Sequence, residues 1–77
     1  MTDMIKIIAQ TICDEPDVVD VKEILGEKSS ILEVRVAQTD LGKMIGKNGR
    51  TAQSIRNLIF AASFKYGKRY TLEIIAR

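Results

Sequence analysis

Leu41-Gly42-Lys43-Met44-Ile45-Gly46-Lys47-Asn48-Gly49-Arg50-Thr51-Ala52-Gln53-Ser54-Ile55-Arg56 is the stretch on which the reading of this chain turns. Gly46 and Gly49 bracket a polar tip of Lys47 and Asn48. An apolar segment ends just before them, and a long helical pattern starts just after. Such a Gly-x-x-Gly between two helices lets the backbone reverse tightly. The first glycine can take the left-handed conformation at a helix C-terminus, where a Cβ is costly. The second leaves the N–H groups of the following helix open to an approaching anion. Lys47 at the tip and Arg50 at the helix start add positive charge. The stretch therefore reads as a clamp for phosphate groups.

Charge around the loop supports that reading. From Leu41 to Leu72 there are seven basic residues (Lys43, Lys47, Arg50, Arg56, Lys65, Lys68, Arg69) and no acidic one. Nine of the ten carboxylates lie at or before Asp40, and the tenth is Glu73. A net charge of +2 says little, but its distribution gives the C-terminal half a positive field suited to a polyanion.

Downstream of the loop, helical periodicity runs from Arg50 or Thr51 to Tyr66, and Gly67 ends it. At 100° per residue, Ala52, Ile55, Leu58, Ile59, Ala62 and Tyr66 share the expected core face. Gln53, Asn57, Phe60 and Phe64 fall opposite. Two phenylalanines four residues apart on a polar face begin to form a patch, and aromatics are enriched at interface cores. Arg69 to Ala76 then alternates as a strand, with Tyr70, Leu72, Ile74 and Ala76 on one side.

Upstream, Thr39 or Asp40 is placed to cap a short helix over Leu41–Ile45. Ile31 to Val36 alternates, with Leu32, Val34 and Val36 facing the core and Glu33 and Arg35 facing solvent. Val18 to Leu25 is rich in β-branched residues, and the glycine-containing turn Gly26–Ser30 joins the two runs as an antiparallel hairpin. The chain opens with a helix capped by Thr2 and running to about Asp14. Ile5, Ile8, Ala9 and Ile12 form its buried stripe, Met4 and Ile7 widen it, and Pro16 stops it. The element order is helix, strand, strand, helix, helix, strand.

Seventy-seven residues make one small domain, spanning 1–77. There is one cysteine, Cys13, and no histidine. An internal disulfide, a Cys/His zinc site and His-based acid–base or triad chemistry are thereby excluded within the chain. Cys13 reads as a small buried thiol. Apolar runs are too short to span a membrane, no signal peptide is visible, and a cytoplasmic location is expected. The spacings of nucleotide-hydrolase and dinucleotide-binding loops are absent. A DNA-reading helix-turn-helix would carry base-contacting polar residues where this chain has Phe60 and Phe64.

The quoted stretch resembles the Ile-Gly-x-x-Gly signature of a KH domain, and the inferred αββααβ order is that of the bacterial, type II arrangement. The likeness covers essentially the whole chain and is closest to the small single-KH RNA-binding proteins of bacteria called KhpA. It implies an α+β fold, a three-stranded sheet covered on one face by three helices. It also implies non-catalytic binding of single-stranded RNA, with no cofactor, metal or small-molecule substrate; such loops clamp about four nucleotides. Gly46, Lys47, Asn48 and Gly49 would hold the sugar–phosphate backbone, flanked by Lys43 and Arg50. Ile45, Leu41 and Ile55 would floor the groove, and Lys68 and Arg69 would form its other rim. The resemblance further implies a homodimer or pairing with a KhpB-type KH protein, and a link to cell-wall synthesis and cell shape. Phe60, Phe64 and Asn57 are the candidate partner face. The alternative is a protein–protein adaptor on a KH scaffold with little RNA binding of its own.

Overall fold

The computed structural model describes all residues from Met1 to Arg77. The elements are α1 (Thr2–Ile12), β1 (Asp20–Leu25), β2 (Ser29–Val36), α2 (Leu41–Ile45), α3 (Arg50–Tyr66) and β3 (Arg69–Ala76). Short 3-10 turns cover Pro16–Val18, Gln38–Asp40 and Lys47–Gly49. This is the αββααβ order, in an α+β arrangement.

The strands form one sheet in the order β1-β2-β3. β1 and β2 are antiparallel, as a hairpin requires, with Val21 opposite Val34 and Glu23 opposite Leu32. β3 runs parallel to β2, with Leu32 opposite Leu72 and Val34 opposite Ile74. Parallel neighbours need a crossover, and α2, the loop and α3 supply it. Leu32, Val34 and Val36 are fully buried, while Glu33 and Arg35 pair with each other at 2.8 Å on the other face. The period-2 alternation of β2 thus separates a covered face from an open one. Ile5 and Ala9 of α1, Met44 of α2 and Ile55 and Ile59 of α3 pack with those three side chains and Leu72 in one core.

Several boundaries differ from expectation. The Thr2 hydroxyl caps nothing; Met1 is the N-cap residue, and its carbonyl accepts the Ile5 N–H at 3.2 Å. The helix starts one residue earlier than a Thr2 cap would allow. It ends at Ile12, because Cys13 is already extended (φ −79°, ψ 146°). Pro16 opens a 3-10 turn that consumes Val18, so β1 begins at Asp20. Met4 and Ile7 do not widen the buried stripe, and Ile7 is 64% exposed. On α3, Ala52, Ile55 and Ile59 are buried, but Leu58 and Tyr66 are about half exposed. A three-stranded sheet is too narrow to cover the full arc and length of a 17-residue helix.

Candidate nucleic-acid interface

The base of the loop is held by a buried carboxylate. Asp40 is 1% exposed and makes no side-chain cap for α2. Its two oxygens instead accept the backbone N–H groups of Asp14 and Glu15, each at 3.0 Å. Those two donors hold the Asp40 carboxyl below its ordinary value, since they favour the charged form. Thr39, the other expected cap, donates its hydroxyl to the Glu15 carboxylate at 3.0 Å. A five-residue helix containing Gly42 has little stability of its own. These bonds moor α2 to the turn after α1.

The loop follows. The Gly46 N–H bonds to the Gly42 carbonyl at 2.8 Å, and the Gly49 N–H bonds to the Gly46 carbonyl at 3.1 Å. Gly46 has positive φ but extended ψ (φ 79°, ψ 173°), a region that only glycine enters readily. The expectation of a left-handed Gly46 is thus corrected: Asn48 (φ 56°, ψ 27°) and Gly49 (φ 74°, ψ 13°) take that conformation. Gly46 is also packed closely, since a Cβ there would stand 2.7 Å from Thr51 Cβ. α3 then begins with no side-chain cap, and Lys47, Asn48 and Arg50 are exposed around its start. The chain's two ion pairs are Arg35–Glu33 and Lys43–Asp14. Lys47 and Arg50 therefore carry uncompensated charge, whereas the Lys43 ammonium is bonded to the Asp14 carboxylate and titrates above its usual value for that reason.

The expected groove residues divide. Ile45 beside the loop is 41% exposed and offers apolar surface. Leu41 is half-buried against the core. Ile55 is 2% exposed and belongs to the core, so it offers no surface to a base. Lys68 and Arg69 lie at the other end of α3 from the loop, next to Tyr70. They follow the C-terminus of α3, whose 17 residues at 1.5 Å each put about 26 Å between them and Gly49.

A groove of about 360 Å³ lies instead between α3 and β3. Gln53, Arg56, Asn57 and Phe60 line its helical side, and Tyr70 and Thr71 its strand side. Gln53 donates to Asn57 across one helical turn at 3.0 Å. Tyr70 is set against Tyr66 with ring centroids 6.1 Å apart, and burial, followed by the nearby Glu23 and Tyr66, pushes its phenol upward. Asn57 and Phe60, assigned from the sequence to a partner face, thus line this groove as well. Phe60 is 67% exposed and Phe64 75%, their rings edge-to-face with centroids 5.2 Å apart. No other element covers them. Tyr70 and Thr71 were missed as lining residues, because only the pairing of β3 beside β2 brings them under α3. Cys13 is buried and unpaired, its thiol pushed up by burial and by the Asp40 and Asp14 carboxylates. No helix is long and apolar enough to cross a membrane.

A glycine-bracketed turn between two helices, set on an αββααβ frame with β3 parallel to β2, defines a type II KH domain. The family described as KhpA/KhpB, KH domain matches residues 2–74, and the chain belongs to that family. A relative named RNA-binding protein KhpA from Caldanaerobacter subterraneus subsp. tengcongensis is 51% identical over 97% of this chain and 100% of its own length. Proteins of the same name from Clostridium perfringens and Aquifex aeolicus are 47% and 43% identical, again over 97% of this chain, and over 100% and 95% of their own lengths. These relatives are named for binding RNA, not for a catalysed reaction. No solved structure is a significant match.

Proposed function

We propose that the chain binds single-stranded RNA without catalysis, seating the sugar–phosphate backbone on Gly46, Lys47, Asn48 and Gly49. The observation that carries this reading is a loop with three positive-φ residues whose flanking Lys47 and Arg50 have no carboxylate partner. A phosphate approaching the uncapped start of α3 meets backbone N–H groups, the helix dipole and two free cations together. Bases then lie past Ile45 towards the α3–β3 groove, where Gln53 and Arg56 present polar groups. One such surface gives modest sequence preference and an affinity that falls with salt. That suits an RNA chaperone or post-transcriptional regulator in the cytoplasm.

Phe60, Phe64 and Asn57 are proposed to meet a second copy or a KhpB-type KH protein, and through that pair the function extends to cell-wall synthesis and cell shape. The exposed phenylalanine pair also supports an adaptor reading, in which the helix face recruits protein and the loop is idle. Filter binding to a short single-stranded RNA separates the two. Lys47→Asp with Asn48→Asp places two carboxylates at the tip and is expected to weaken binding at least tenfold at about 0.1 M salt. Native-like binding by that double variant would sink the loop reading, and a native chain that itself fails to retain the RNA would leave the adaptor.

A further inference from the structure

One ion pair joins the carboxylate-rich N-terminal half of the chain to its basic C-terminal half. The Asp14 carboxylate is bonded to the Lys43 ammonium, and Lys43 stands three residues before Gly46, about 4.5 Å along the helix rise. Its stem lets the ammonium reach either the Asp14 side or the loop side of α2. Asp14 is not free to drift away. Its backbone N–H is tied at 3.0 Å to the buried Asp40 carboxylate at the start of the same helix. The backbone that carries the competing carboxylate is thus held beside Lys43 by a bond that does not involve the Asp14 side chain. The side chains of the pair are 48% and 72% exposed, so an incoming anion can displace one partner without unfolding anything.

We propose that Asp14 is an intramolecular competitor for Lys43. Its carboxylate occupies the ammonium that a phosphate on the loop would otherwise take, so a residue outside the binding surface sets the affinity of that surface. The proposal rests on the loop site described above. In the native chain Lys47 and Arg50 hold phosphate while Lys43 is withheld; with Asp14 neutralised, Lys43 joins them. An exposed pair of this kind supports an effect of about two- to fivefold in affinity. One added phosphate contact steepens the dependence of log affinity on log salt by about 0.7 for a single strand.

The test uses the full chain and a labelled single-stranded RNA dodecamer of mixed sequence, with anisotropy read across a salt series. The proteins are native, Asp14→Asn, Lys43→Gln and the two substitutions combined. Asparagine at position 14 keeps the backbone N–H that Asp40 accepts, so the mooring of α2 survives. Asp14→Asn is expected to bind two- to fivefold tighter with the steeper salt slope, and to change nothing when Lys43 is already glutamine. Equal tightening in both backgrounds would mean that only the general field of one carboxylate was removed, and the competitor would be rejected. No change in affinity or slope would reject it too. Lys47→Asp with Asn48→Asp is run alongside. If that variant loses binding while Asp14→Asn is neutral, the competitor alone falls. If it binds as native does, the loop site falls with it.

Discussion

At its N-terminal end α3 emerges from a loop in which Gly46, Asn48 and Gly49 all hold positive φ, with unpaired cations around it and a buried carboxylate mooring its base. At its C-terminal end the same helix closes on Gly67, whose N–H bonds to the Ser63 carbonyl at 2.9 Å, and displays Phe60, Phe64 and Tyr66 to solvent. The first end is specified by backbone geometry, the second by side-chain area alone. A polyanion is recognised by where N–H groups and cations point, so its site needs conformations that cost free energy to hold. A protein partner is recognised chiefly by apolar surface removed from water, so its site needs only a face left bare. The two meet at Phe60, which lines the α3–β3 groove and meets Phe64 edge-to-face.

Three variants probe the two ends, and the one with the largest effect joins them. Ile59 lies between the two regions and is 2% exposed in the core. Ile59→Ala is expected to cost about 2–5 kcal/mol of stability, read by denaturant unfolding, and to weaken both surfaces together. RNA binding or self-association that survives such a loss unchanged would mean that one end does not depend on α3 being seated on the sheet. Gly46→Ala comes next, at about 1–3 kcal/mol for a Cβ in that backbone region, with Thr51 against it as well. RNA affinity should fall with it while the mass in solution stays as in the native chain; a parallel loss of assembly would erase the distinction drawn here. Phe60→Glu with Phe64→Glu should shift the fold's stability by no more than about 0.5 kcal/mol. Sedimentation should show the loss of any oligomer the native chain forms, and an unchanged oligomer would remove the phenylalanines from the interface.

Much of this architecture was legible because its signals are local. The alternation of Ile31–Val36, the glycines of the loop and the length of α3 each depend on neighbours within a few residues. What escaped depends on partners far along the chain. An aspartate before a short helix looks like a cap, and nothing nearby says that Asp40 turns instead to Asp14 and Glu15. Lys43 looks free until Asp14, 29 positions away, is brought beside it. Ile55 has the pattern of a groove residue and of a core residue alike, and only packing distinguishes them. Lys68 and Arg69 stand away from the loop for a different reason: the 17 residues of α3 lie between them and it. Leu58 and Tyr66 share a periodicity with the core but extend past the sheet that would bury them.

The parallel pairing of β2 with β3 has a consequence for how the domain comes into being. Every residue of β3 is registered on a residue of β2 forty positions earlier, from Ser29 with Arg69 to Val36 with Ala76. The β1–β2 hairpin can close as soon as it is made, because its contacts are short in sequence. The β2–β3 pairs instead close a long loop, and its entropy must be met before those contacts return anything. While the domain is being synthesised, β2 therefore presents one open hydrogen-bonding edge until the whole of α2, the loop and α3 have left the ribosome. The wall of the α3–β3 groove is the last part to arrive. A nascent chain can carry the glycine loop and its cations before Tyr70 and Thr71, the strand side of that groove, have been made.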